Sequence, residues 1–272
     1  MQYSRHINNE PLLSKLHSLT INVLSLLAPR LAYRMFIDRL QTPRKIQHQW
    51  SCDVDRFSIN TPIGKIRAFA YGEGEDIWLV HGWSGHAHQY WPLMQALAEK
   101  GYRAIALELP AHGYSRRNQV SIPQLIRAFD SAARKMFSPK MIIAHSIGAT
   151  VVANASWFKN YQDKLILVEP TFDPYLLQYE KMSGYRFNDA YFERYVHHIL
   201  KRDKALLTNL GLVECLMDFT GETHIIHEAK SIDAVLEQVP VLAKKPNVAL
   251  VCADENNVLE SDNIIQLLRK AC

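Results

Sequence analysis

The feature that most constrains this chain is a series of short apolar runs that do not alternate with polar residues. They are "DIWLV" (76–80), "YRAIALEL" (102–109), "KMIIA" (140–144), "KLILV" (164–168) and "NVALVC" (247–252). A strand with one face in water alternates apolar and polar residues. A strand that is apolar at consecutive positions is buried on both faces, the condition of a parallel sheet flanked by helices. Helical patterns separate the runs, near 89–100, 121–137, after residue 146 and at 260–271. The order predicts an α/β fold, mostly parallel, with helices on both faces. Two earlier strands, in "CDVDRFSIN" and "KIRAFAYGEGE", are joined by a turn at Pro62-Ile63-Gly64.

The two regions outside this series have a different texture. In residues 1–45, Leu12, Leu16, Leu19, Val23, Leu26 and Leu27 recur at helical spacing, and Leu31, Met35, Phe36 and Leu40 continue it past Pro29. This reads as a kinked amphipathic helix pair packed on the main domain or on a second copy in a homodimer. Membrane-surface contact through residues 10–40 is the less favoured reading, since Glu10 and Asp38 dilute the basic face. Residues 171–240 carry clustered tyrosines and phenylalanines and a helical stretch, "ALLTNLGLVECLMDF". A long insertion between sheet strands reads as a helical cap over a site at the strand ends. The core would then comprise 46–170 and, for its last strand and helix, 241–272.

Charge excludes some classes. A net charge of +4, evenly spread, does not suggest nucleic acid. Cys52, Cys215, Cys252 and Cys272 show no paired spacing and read as reduced, mostly buried thiols of a cytoplasmic protein. No segment has the roughly 18 apolar residues of a membrane span. The apolar stretch at 19–28 is followed by Pro29, which disfavours signal cleavage.

The chemistry centres on "IIAHSIGAT" (142–150), an apolar strand running into a serine flanked by small residues. A serine is nucleophilic at neutral pH only where a base takes its proton and donors hold the oxyanion. Ala144 and Gly148 let strand and helix pack closely while the Ser146 hydroxyl projects from the sheet edge. The Ile147 N–H, opening the helix, and the Trp83 N–H in "HGWSGHAH" are the expected oxyanion donors. The pairs His86/His88, His197/His198 and His224/His227 lack the carboxylate or cysteine pattern of a metal site, so no metal and no cofactor is expected.

Four separated features then resemble the α/β-hydrolase superfamily and its bacterial esterase-like and lipase-like members. They are His81-Gly82, the loop "PAHGYS" (110–115), the turn at Ser146 and the run at 247–252. The resemblance covers roughly 60–170 and 240–260. It implies a triad in the order serine, acid, histidine, and loop roles without catalysis for His81 and His112. His145 should point away from the hydroxyl. Aligned on 247–252, Ala253 falls where the family has glycine and Asn256 where it has the acid, leaving Asp254 or Glu255 as the carboxylate. Glu169, after "KLILV", is a second option. No histidine follows 256, so the last strand and the base are expected to be missing, with 247–252 left as an edge strand. Truncation, an unorthodox base such as His86, His88 or a cap histidine, and a non-catalytic relative remain open. The implied function is hydrolysis of a small carboxylic ester or related acyl bond with an apolar part. The alternative is an inactive binding or interaction module.

Overall fold

The computed structural model describes residues 12–50, 53–174, 193–194, 197–198, 201, 210–228, 240–253 and 264. The chain divides into two compact units, Met1–Thr42 with Tyr175–Leu206, and Pro43–Pro174 with Leu207–Cys272.

In the first unit, α1 (Leu12–Leu27) and α2 (Pro29–Gln41) form a helical hairpin. Pro29 stands in the first turn of α2, where a missing N–H costs nothing, and so breaks the pattern into two helices. Ile21, Ala32 and Phe36 are buried between them, with Leu24, Met35 and Leu40 packed around. The sequence pattern is corrected here. The stripe Leu16, Leu19, Val23, Leu26 and Leu27 faces outward, while Ile21 and Leu24 supply the packed side of α1. Among the described residues, no helix is long and apolar enough to cross a membrane.

Among its described residues the second unit holds eight strands: β1 (Asp55–Thr61), β2 (Gly64–Tyr71), β3 (Glu75–Val80), β4 (Tyr102–Glu108), β5 (Met141–His145), β6 (Lys164–Val168), β7 (Thr223–Glu228) and β8 (Val248–Ala253). They form one sheet in the order β1-β2-β4-β3-β5-β6-β7-β8. β2 pairs antiparallel with β1 and β4, and every later pairing is parallel. Its described helices include α3 (Trp91–Ala98), α4 (Ile122–Ala133), α5 (Ile147–Ala153) and α6 (Leu212–Asp218).

Strand β3 shows why the unbroken runs are apolar. Ile77 and Leu79 pack with Leu93, Met94 and Leu97 of α3. Trp78, one position over and so on the opposite face, meets Phe129 of α4 edge-on and stacks on Trp157 at 5.2 Å. Consecutive residues thus enter different cores. Helix α4 starts at a capping box, in which the Ser121 hydroxyl and the Gln124 side chain reciprocally accept each other's backbone N–H.

The expectation of a missing last strand is corrected. An eighth strand is present, but it is β7, "THIIHE", inside the span read as cap. Leu207–Glu228 belongs with the sheet. The run at 247–252 is therefore the eighth strand, and it does lie at the sheet edge. The cysteine expectation also changes: Cys215 is half-buried but Cys252, on β8, is exposed, and both are free thiols. Burial, helped by Glu214 and Asp218, pushes the Cys215 thiol up to about 11.

Candidate active site

Ser146 joins β5 to α5 with φ +51° and ψ −123°. Positive φ is uncommon for a residue with a Cβ and persists only where the surroundings enforce it. Here they do. The Ser146 N–H donates to Val168 O at 2.9 Å, and its carbonyl accepts from the Thr171 N–H at 3.3 Å. Thr171 also faces the Ser146 side chain, with the two hydroxyl oxygens 3.3 Å apart, and its own carbonyl accepts from Thr150 Oγ1 at 2.6 Å. Ser146 and Thr150 are thereby tied to the end of β6 and to the segment that follows it.

Two glycines make the turn possible. A methyl group on Gly148 would lie 2.6 Å from His81 O and 2.7 Å from Val80 O, so α5 can start this close to β3 only without a side chain. A methyl group on Gly82 would lie 2.9 Å from Ser146 Cβ and 3.1 Å from His145 Nδ1. This close approach brings the Trp83 loop against the serine. Among the described residues the Trp83 N–H makes no hydrogen bond. The Ile147 N–H belongs to the first helical turn, whose amides have no partner within the helix. The two expected oxyanion donors thus belong to the residues that adjoin this contact, Trp83 after Gly82 and Ile147 after Ser146.

The loop is pinned from behind. His81 Nε2 accepts from the Leu109 N–H at 3.1 Å, which leaves Nδ1 to donate to Gly82 O at 2.8 Å. Complete burial, then the neighbouring His112, hold its imidazole well below the ordinary range, against the pull of the Gly82 bond. Glu108, at the end of β4, accepts from the Tyr114 N–H at 2.6 Å and the Ala87 N–H at 3.4 Å. Burial raises its carboxyl despite these bonds and the charge of Arg67. His81 and Glu108 thus knit the loops after β3 and β4 together.

The sequence candidates for acid and base fall in different places. Asp254 and Glu255, and the position Asn256, lie outside the described residues; they follow the eighth strand rather than the seventh. His86 and His88 pack against His48, at ring-centroid separations of 4.8 and 5.0 Å. His86 Nδ1 accepts from the Gln89 N–H, capping a short turn. Burial, then His48 and His88, lower its imidazole to about 4. His145 is lowered mainly by burial, against the pull of Glu169, and makes no hydrogen bond to Ser146 among the described residues.

A pairing that the local sequence does not reveal lies at the ends of the two strands that follow β5 across the sheet. The register aligns His145 with Val168 and Val168 with Ile226. One residue further along each strand come Ser146, Glu169 and His227, side by side at the carboxyl ends of β5, β6 and β7. Neighbouring strands lie about 4.8 Å apart. Glu169 itself has φ +45°, and its N–H donates to Ile226 O at 2.9 Å. Its Oε2 lies 3.3 Å from His227 Nδ1, and its Oε1 accepts from the Glu228 N–H at 2.8 Å. Burial pushes the Glu169 carboxyl up, but the His227 and Glu228 bonds with the nearby histidines outweigh it, so it titrates below the ordinary range. His227 is almost wholly buried and stacks on Phe172.

With this geometry in hand, comparison settles the class. A model described as the alpha/beta hydrolase family matches residues 79–262, and the chain belongs to that family. Among solved structures, an esterase from Pyrococcus furiosus is 12% identical, with 85% of this chain and 97% of that chain covered at a TM-score of 0.56. A thioesterase domain from the curacin biosynthetic pathway is 14% identical over 80% of this chain and 99% of its own, at 0.55. An epoxide hydrolase from Vigna radiata is 12% identical over 82% and 100%, at 0.54. At these identities the likeness is one of fold. A search of the curated proteins finds no match.

Proposed function

We propose that the protein is a serine hydrolase of carboxylic esters or related acyl bonds, with Ser146 as nucleophile. One observation carries the reading: Ser146 is held at positive φ on a strand-to-helix turn, with Gly148 seating the helix against the end of β3 and Gly82 bringing the following loop against the serine. Ser146 Oγ attacks the acyl carbon, and the carbonyl oxygen becomes an oxyanion between the Trp83 and Ile147 N–H groups. Collapse breaks the bond to the leaving alcohol, and water then releases the acyl group from the serine.

His227 is the base this reading favours. Its Nδ1 faces Glu169, so Nε2 would take the serine proton and return it to the leaving group, while Glu169 stabilises the imidazolium. The Ser146 hydroxyl now faces Thr171 Oγ1. Catalytic hydrogen bonds often tighten only with substrate present, and the reading requires this here. Asp254 and Glu255 remain candidate carboxylates for a base drawn from elsewhere in the chain.

The alternative, a binding module, draws on that Ser146–Thr171 contact as a resting hydroxyl with no base. The test is hydrolysis of 4-nitrophenyl esters from acetate to octanoate by the wild type and Ser146→Ala. A serine hydrolase loses roughly a thousandfold or more in kcat/KM. Equal rates in the two proteins would favour the binding module.

A further inference from the structure

Helix α1 carries its apolar residues on the wrong side for a helix that packs only within its own unit. Six of the ten exposed large apolar side chains among the described residues fall in sixteen positions: Leu16, Leu19, Val23, Leu26, Leu27 and Leu31. At 100° per residue the five on α1 lie within one stripe, roughly 100° wide and opposite the buried Ile21. Leu26 and Leu27 are exposed to 67% and 78%. No charged residue occurs between Lys15 and Arg30. A contiguous exposed apolar patch of this kind marks an interaction surface.

Charge identifies what covers it. Residues 15–45 carry Lys15, Arg30, Arg34, Arg39, Arg44 and Lys45 against the single acid Asp38. Arg30 and Arg34 are exposed on the same face of α2 as Leu31, directly beyond the Leu26–Leu27 end of the stripe. An apolar stripe ending in arginines is complementary to a bilayer surface, with side chains entering the acyl boundary and guanidinium groups at anionic headgroups. Length separates lying on the membrane from crossing it. The 16 residues of α1 extend about 24 Å, short of the roughly 30 Å hydrocarbon core.

We infer that the α1–α2 hairpin docks the protein on an anionic lipid surface, with α1 lying in the interface plane. The stripe was read from the sequence as a packing face, and the observation that its leucines are the exposed ones shifts the balance to the membrane. This inference is independent of the ester-hydrolase reading.

The experiment is co-sedimentation of the full chain with phosphatidylcholine vesicles, with and without 30 mol% phosphatidylglycerol, at two salt concentrations. The proposal expects binding to the anionic vesicles that weakens as salt rises. It also expects at least a hundredfold loss of partitioning in L19E/L26E, since each fully buried leucine is worth roughly tenfold or more. Arg30→Ser with Arg34→Ser should lose more than tenfold on anionic vesicles, at about fivefold per arginine, and little on neutral ones. The substituted leucines are exposed, so circular dichroism should be unchanged, and Leu27→Glu alone provides a milder check. A folded chain that binds neither vesicle overturns the proposal. So does equal binding by wild type and L19E/L26E. A dimer that L19E/L26E splits, without vesicle binding, would assign the stripe to a second copy and equally overturn it.

Discussion

The two sides of the candidate site are built differently. On the side of the proposed nucleophile, Ser146 is fixed by backbone. Strand β5, helix α5 and the Gly82 loop approach so closely that a single methyl group at Gly82 or Gly148 would collide with main chain or with the serine itself. On the proposed acid–base side, Glu169 and His227 come from neighbouring strand ends and meet through a 3.3 Å contact, beside the Glu228 N–H bond to Glu169 Oε1 and the Glu169 N–H bond to Ile226 O. The first is steric and local. The second depends on sheet register, because a shift of one residue would turn each side chain to the opposite face.

Breaking the acid–base side should have the larger effect on catalysis. His227→Gln is expected to lower kcat by about 10²–10⁴, with Glu169→Gln in the same range. The double variant should be little worse than the more damaging single one, because paired groups act as a unit. Additive losses would separate the two residues. Steady-state kinetics on one ester substrate decides between these outcomes.

Disturbing the nucleophile side by sterics alone should cost somewhat less. Gly82→Ala displaces the Trp83 loop from Ser146, and a misplacement near 1 Å can cost about a hundredfold in kcat/KM. Gly148→Ala presses on His81 O and Val80 O, neither of which can move without shifting β3. It should lower stability by about 1–3 kcal/mol, measured by urea denaturation.

The smallest effect is on pH dependence. The Glu169 carboxyl titrates below its ordinary value of 4.5 in the folded state. The unfolded chain therefore binds the proton first as pH falls. The stability that the ionised carboxylate contributes is complete above 4.5 and is lost as pH drops through the lower folded value. Glu169→Gln should flatten the stability profile in that acid window and leave its slope near neutrality unchanged. An identical acid slope in both proteins would mean that the contact with His227 does not bias the carboxylate.

The same contrast explains what the sequence made legible. The strands of the core could be read because each is apolar at consecutive residues, and the turn at Ser146 because small residues bracket it. Strand β7 escaped notice because "THIIHE" has only two consecutive aliphatic residues between histidines and follows a helical stretch. Gly221 before it was the available signal; a methyl there would meet Asp163 O at 2.2 Å. Missing β7 shifted the count of later strands by one and made the chain read as lacking its last strand. It also hid the pairing of Glu169 with His227, which are 58 residues apart and adjacent only through the sheet. Thr171 was equally invisible, since nothing local marks a threonine that folds back onto the turn at Ser146. The outward stripe of α1 was seen, but a helical period alone does not say which side of a helix is covered.

The central claim is that Ser146 is an activated nucleophile, and an intact mass of the folded protein after incubation with a fluorophosphonate probe tests it most directly. The account predicts one covalent adduct, absent in Ser146→Ala and formed much more slowly in His227→Gln. A folded wild-type chain that acquires no adduct, or one that Ser146→Ala retains, would contradict it.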